Sequence, residues 1–199
     1  KISGKIDVIR SLYNFVDNLI VGGGMAYSFI KALGGEVSES LIEKEKLALA
    51  KELVVEANNK NVKLLLPVDS VNGSKFSNDC LINKSDVFKI PKEFAGFDIG
   101  DKTIKVFCET ILNSKTIIWN GPMGVFEMSN FENGTKQVGL AIAEATRNGA
   151  FSLVGGGDSV AAIKKFRLTD RMSYVSTGGG AMLSYLEGKN LPGIYAIKD

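Results

Sequence analysis

Two periodicities alternate along the chain. Apolar residues at Ile6, Ile9, Leu12, Tyr13 and Val16 recur at helical spacing, and the run 18–21 behind them has the pattern of a short buried strand. The exchange continues to the end. Helices are expected over 24–33, 42–58, 103–112, 132–147, 160–166 and 181–187, and strands over 62–66, 115–119, 150–154 and 173–175. Gly34-Gly35 supplies a C-cap for the helix before it, and Pro67 ends the strand that precedes it. Only the stretch 69–101 breaks the rhythm. It offers short strand candidates at 80–82 and 87–90 and reads as a small β-rich excursion. Strands alternating with helices predict a parallel sheet with right-handed crossovers. The expected fold is therefore α/β: a three-layer, Rossmann-like sandwich with a mostly parallel sheet. It spans residues 1–199 as one domain, because no linker or low-complexity segment divides the chain.

Three of the apolar runs stop at glycine clusters: Leu19-Ile20-Val21-Gly22-Gly23-Gly24-Met25, Leu153-Val154-Gly155-Gly156-Gly157-Asp158-Ser159 and Val175-Ser176-Thr177-Gly178-Gly179-Gly180-Ala181. Each reads as strand, tight turn, helix, with bare backbone N–H groups at the helix start. Such turns bind anions. Three of them predict a polyphosphate held along the carboxyl edge of the sheet, where open α/β sheets take their ligands.

Composition narrows the chemistry. With 24 Lys and Arg against 22 acids and a net charge of +2, the chain lacks the clustered excess of cations that a nucleic acid or membrane surface requires, so the expected anion is small. No run has transmembrane length and no leader pattern is seen, which predicts a cytoplasmic protein, expected to be monomeric. Cys80 and Cys108 form no CxxC pair and read as reduced core thiols. The complete lack of His removes His bases, triads and metal ligands. The opening Lys1-Ile2-Ser3-Gly4-Lys5, without an initiator Met, reads as a cut from something longer.

Two common phosphate cradles are absent. GxGxxG fails at Gly22 because Tyr27 stands where the last Gly belongs, and at Gly155 because Val160 does; no GxxxxGK[ST] occurs. What remains is an ordered set of local motifs: Lys1-Ile2-Ser3-Gly4-Lys5-Ile6, Gly22-Gly23-Gly24-Met25-Ala26-Tyr27, Leu66-Pro67-Val68-Asp69, Trp119-Asn120-Gly121-Pro122-Met123-Gly124-Val125-Phe126-Glu127, Gly155-Gly156-Gly157-Asp158-Ser159 and Ser176-Thr177-Gly178-Gly179-Gly180-Ala181. In this order they resemble the C-terminal, nucleotide-binding domain of the phosphoglycerate kinases. The match runs to Leu191-Pro192-Gly193-Ile194, which is similar to that family's tail.

The resemblance implies phosphoryl transfer between 1,3-bisphosphoglycerate and Mg-ADP, with ADP or ATP on this half and phosphoglycerate on an absent N-terminal domain. It implies that Lys1 and Lys5 bind phosphate; spaced four apart at a helix start, they would share a face, and solvation alone is the competing reading. By the same likeness Gly156, Gly157 and Ser159 contact nucleotide phosphates, and Thr177, Gly178, Gly179 and Gly180 meet the transferring group. Asn120 would touch phosphate, Glu127 the ribose hydroxyls, and Pro122 would wall the ribose and adenine beside a slot lined by Gly22, Gly23, Gly96 and Phe97. Asp158 carries two compatible readings, helix N-cap and Mg2+ ligand. Three positions depart from the family pattern: Tyr174 stands for a usual His, Ser159-Val160-Ala161 for a Thr-rich run, and Asp101 for Pro. A nucleotide-binding module without enzymatic activity is the alternative from another class; a dehydrogenase would require the failed fingerprint.

Overall fold

The computed structural model describes residues 2–189 and 191. Lys1 and the tail residues Pro192, Gly193 and Ile194 lie outside them. The order of elements is α1 (Ile6–Leu12), β1 (Asn18–Ile20), α2 (Gly23–Ala32), α3 (Leu47–Asn59), β2 (Lys63–Leu65), β3 (Asp69–Gly73), β4 (Ile82–Asp86), β5 (Ala95–Ile99), α4 (Asp101–Leu112), β6 (Thr116–Trp119), α5 (Asn133–Arg147), β7 (Phe151–Val154), α6 (Gly157–Lys165), β8 (Tyr174–Val175) and α7 (Gly179–Leu186). Short 3-10 turns precede α3 and α5 and lead towards β8. The α/β class expected from the alternation is what forms.

All pairs within the main framework are parallel. β1 pairs with β2, and β6, β7 and β8 pair in that order, so that Thr116 lies opposite Phe151 and Leu153 opposite Tyr174. Among the described residues these are two separately hydrogen-bonded groups. The excursion is a third, antiparallel sheet with β3 between β4 and β5 and an irregularity at Val71/Asn72.

Two buried clusters carry most of the packing. In one, Trp119 and Val154 from the strands meet Phe107, Ile142 and Ile163 from α4, α5 and α6. In the other, Ile9, Phe29, Leu53 and Val62 join α1, α2, α3 and the approach to β2. The opposite face of the β6–β7–β8 group leaves Ile118, Phe151 and Tyr174 exposed.

Several expectations need correction. No strand forms over 87–90. The Asp86 side chain accepts the Phe88 N–H at 2.8 Å and the Asp86 carbonyl accepts the Lys89 N–H at 3.0 Å, a turn that buries Val87 and Ile90 against Tyr27 and Ile30; only a Glu36–Lys89 bridge remains. The apolar pattern there marked packing, not strand. The candidate at 80–82 begins at Ile82 and runs to Asp86 through polar residues. β3 and β5 went unread because DSVNG and AGFDI carry little apolar signal and are held by their neighbours. Helix 42–58 begins as a 3-10 turn and becomes α-helical only at Leu47. α1 ends at Leu12, leaving Tyr13 in the following turn and Val16 beyond it. Finally, α6 and α7 start two or three residues earlier than the apolar spacing suggested, so their glycines are the first helical turns.

Phe107 is fully buried between α4 and α5, whereas Phe151 is 51% exposed on the outer sheet face. Phe107→Ala is expected to cost about 3–5 kcal/mol in urea unfolding, and Phe151→Ser less than about 1 kcal/mol.

Candidate nucleotide site

A cavity of about 830 Å³ opens where β1, β6 and β7 end and their glycine turns begin. Its volume lies within the range of small-molecule sites. Gly22, Gly23, Gly96, Phe97, Pro122, Asn120, Gly156, Gly157, Asp158, Ser159, Gly179, Gly180 and Lys5 all line it. Thr177 and Gly178 instead line a smaller neighbouring depression with Tyr174 and Tyr185. Glu127 is exposed and belongs to neither lining.

Close backbone approach explains the glycines. A Cβ on Gly179 would sit 2.6 Å from the Gly156 amide nitrogen, so the second and third glycine clusters touch main chain to main chain. A Cβ on Gly23 would lie 2.9 Å from the Pro122 carbonyl oxygen; on Gly22 it would strike Met123 Sδ, and on Gly96 the Tyr27 hydroxyl. Gly156 adds a positive φ of 93° that side chains rarely adopt, and it is the N-cap of α6.

That cap position corrects one reading of Asp158. The carboxylate makes no capping bond, since the helix starts at Gly157 and the glycine turn already occupies the cap. Asp158 is exposed on the cavity and has no hydrogen bond or ion pair with any described residue.

Lys5 is drawn in by a relay. Its Nζ donates to Asn120 Oδ1 at 2.8 Å, and Asn120 Nδ2 donates to the Gly155 carbonyl at 2.8 Å. Burial lowers the Lys5 pKa, and the Glu187 carboxylate partly restores it. Lys5 stands at the N-cap of α1, while Lys1, expected to share its face, lies outside the described residues. Ser159 is buried and its Oγ accepts the Gly121 N–H at 2.6 Å.

The structure adds residues that the sequence did not reveal. Phe76 packs edge-to-face on Phe97 with centroids 5.4 Å apart, and Phe97 on Phe131 at 5.1 Å, an aromatic stack rising to the cavity rim. Leu41, Tyr27 and Met123 complete the apolar wall. Phe76 lies in the irregular excursion, where no periodic signal marked it. Behind the wall sits Asp98, also unread, accepting the N–H groups of Gly134 at 2.7 Å and Ile99 at 2.9 Å. A Cβ on Gly124 or Gly134 would collide with its carboxylate.

Among the described residues no cluster of three His, Cys, Asp or Glu side chains could hold a metal, and no helix is long and apolar enough to cross a membrane. Cys80 and Cys108 are unpaired thiols.

Glycine turns converging on one cleft at the carboxyl ends of parallel strands in an open α/β fold present backbone amides of the kind suited to an anion. The family follows from comparison. The sequence profile of phosphoglycerate kinase matches residues 1–189, and the chain belongs to that family. It is 54% identical over 198 residues to the phosphoglycerate kinase of Porphyromonas gingivalis, covering 100% of this chain and 47% of that protein. The phosphoglycerate kinase structure from Coxiella burnetii superposes with a TM-score of 0.93 at 44% identity, over 98% of this chain and 50% of that one. The enzyme from Pyrococcus horikoshii OT3 gives 0.81 at 29% identity, over 100% and 49%. The chain thus spans about half the length of the relatives it matches.

Asp98 makes stability sensitive to pH. Burial, then the charge of Glu132, push its carboxyl up to about 7 from 3.8 against the pull of its two amide donors. Between those values the folded chain holds a proton that the unfolded chain has lost, so this group's stabilisation is full below pH 3.8 and is lost as pH rises towards 7. The range corresponds to a loss on the order of 4 kcal/mol. Urea unfolding of wild type and Asp98→Asn at about pH 5 and about pH 8 should show a smaller fall with pH in the variant.

Proposed function

We propose that this chain is the nucleotide-binding half of a phosphoglycerate kinase, taking Mg-ADP or Mg-ATP in the cavity between the glycine turns. The observation that carries the reading is the convergence of Lys5, Asn120, Asp158 and two touching glycine turns on one cleft. In the reaction, the phosphoryl group of 1,3-bisphosphoglycerate leaves its acyl oxygen and bonds to a terminal oxygen of ADP, giving 3-phosphoglycerate and ATP. Little covalent chemistry is asked of the protein, so positioning and charge neutralisation dominate.

The residues present suit those tasks without His. The first-turn amides of α6 and α7 face the cleft with the partial positive charge of helix N-termini. The Lys5 ammonium, oriented by Asn120, is placed to follow developing negative charge on the phosphoryl oxygens. Asp158 fits a magnesium site: a single unpartnered, exposed carboxylate suits an ion that keeps several waters and takes its other ligands from phosphate. When bound, magnesium spreads and neutralises charge across those phosphates. Ser159 holds Gly121 and thereby the Pro122 loop against the phosphate turn. Gly22, Gly23, Gly96, Phe97, Phe76 and Pro122 offer a flat apolar slot for the base, while Thr177 and Gly178 stand one step beyond, beside α7. Glu127 reaches the ribose only if its loop is held in place.

The phosphoglycerate site is assigned to an N-terminal domain outside this sequence, a role consistent with the chain's half-length coverage of its relatives. A binding module without catalysis would keep the base slot but need not keep Lys1, Lys5 and Asp158 together. Calorimetry should show Mg-ADP binding at micromolar to millimolar strength, roughly −8 to −4 kcal/mol. Asp158→Asn should remove most of the metal dependence of that binding. It should leave stability nearly unchanged, because the carboxylate caps nothing. Unchanged affinity with and without metal in both proteins would favour the module.

Turnover requires both substrates aligned in one water-excluded cleft, an advantage worth roughly 7–11 kcal/mol. A coupled assay of the chain alone should detect no phosphoglycerate-dependent ATP formation. On addition of a matching N-terminal domain, Lys5→Ala should depress kcat more than nucleotide affinity.

A further inference from the structure

The segment 120–127 carries Asn120, Pro122 and Glu127, and α6 holds it at both ends. At its start the Gly121 N–H donates to Ser159 Oγ at 2.6 Å, next to the Asn120 bond to the Gly155 carbonyl. At its far end Lys165, in the last turn of α6, donates from Nζ to the Phe126 carbonyl at 2.6 Å. The same ammonium pairs with Glu132 Oε2 at 2.6 Å, and the two side chains are only 37% and 24% exposed. An exposed lysine pair contributes little, because fixing a long side chain costs entropy and water screens the charge. Here the ammonium is partly shielded and meets a carboxylate and a carbonyl together, so its geometry is fixed. The Phe126 ring is buried as well, which anchors the residue whose carbonyl is held.

Glu127 follows that carbonyl directly. Its side chain is exposed and has no hydrogen bond or ion pair with any described residue, so its reach depends on the turn that carries it, closed by the Met128 N–H on the Val125 carbonyl at 3.0 Å and held from α6 at the Phe126 carbonyl. The first turn of α6 faces the cavity at Gly157, Asp158 and Ser159, while its last turn holds the end of the loop.

We propose that Lys165 is a positioning residue for the nucleotide. Through α6 it sets the distance between the phosphate-facing turn and Glu127, so that phosphate and ribose are gripped by two ends of one rigid helix. The inference rests on the nucleotide reading above and adds to it a residue outside the cavity lining. Removing the ammonium should loosen the ribose grip while leaving phosphate contacts in place.

Two measurements on the 199-residue chain test this. In hydrogen exchange without nucleotide, Lys165→Met should speed exchange over 126–128 and leave β6, β7 and the amides of 121–125, bonded to Ser159, Thr135 and Phe97, unchanged. If Lys165→Met folds poorly because Glu132 is stranded, the double variant Lys165→Met/Glu132→Gln removes the unpaired charge and serves instead. In calorimetry, wild type should bind Mg-ADP about tenfold more tightly than Mg-2′,3′-dideoxy-ADP, as expected for hydrogen bonds to a charged group. In Lys165→Met that ratio should fall below about threefold, and Lys165→Arg should restore it. A residue that only stabilised the fold would lower the melting temperature and leave the ratio intact, which would overturn the proposal. Unchanged exchange over 126–128 would overturn it too, as would a wild type that binds both nucleotides equally. A wild type that binds neither nucleotide would overturn the nucleotide reading itself.

Discussion

Everything at the ligand edge depends on main chain approaching main chain. Gly179 lies so close to Gly156 that a Cβ would stand 2.6 Å from its amide nitrogen, and Gly23 packs under the Pro122 carbonyl in the same way. Only bare backbone permits three helix starts to crowd one cleft, and only that crowding aims several unpaired N–H groups at one volume. The apolar clusters beneath fix the strands whose ends carry these turns. A side chain at any of these positions would separate the turns before it altered any single contact.

Around this edge, polar bonds join segments distant in sequence. Lys5, Asn120 and Gly155 form a chain from α1 to the end of β7. The loop after β6 is tied to α5 through Thr135 Oγ1, which accepts the N–H groups of Met123 and Gly124 at 3.1 and 3.2 Å, and to β5 through the Val125 N–H and the Phe97 carbonyl. Asp98 serves the same joint from inside, its carboxyl accepting a first-turn N–H of α5 that the helix's own N-cap, Glu132, leaves without a side-chain partner. The cavity wall is therefore a composite of loop, strand and helix start. The burial that makes the Asp98 bonds effective also makes the group the chain's most pH-sensitive carboxyl among those with a resolved shift.

The α/β order, most helices and the glycine-ended strands were legible because each has a local physical signature: helical or strand periodicity, and glycine where a run of apolar residues stops. The β3–β4–β5 sheet was poorly legible. Its strands are short and polar and exist because they pair with one another, and periodicity cannot report a partner. Val87 and Ile90 misled for the converse reason, since burial in a turn and burial in a strand leave the same apolar residues.

By itself the sequence determined which residue types could do the work: no His, a lysine at the start of the first helix, one Asp behind a glycine turn, and glycines at strand ends. Those are chemical limits that folding cannot change. The tertiary structure decided which of them meet. It brought Lys5 to Asn120 and the Gly156 turn to Gly179, left Asp158 without a capping bond, and raised Phe76 to the cavity rim. It also fixed the ammonium of Lys165 on a carbonyl one residue from Glu127. Such meetings depend on distances between segments far apart in the chain, and only packing of the whole core sets those distances.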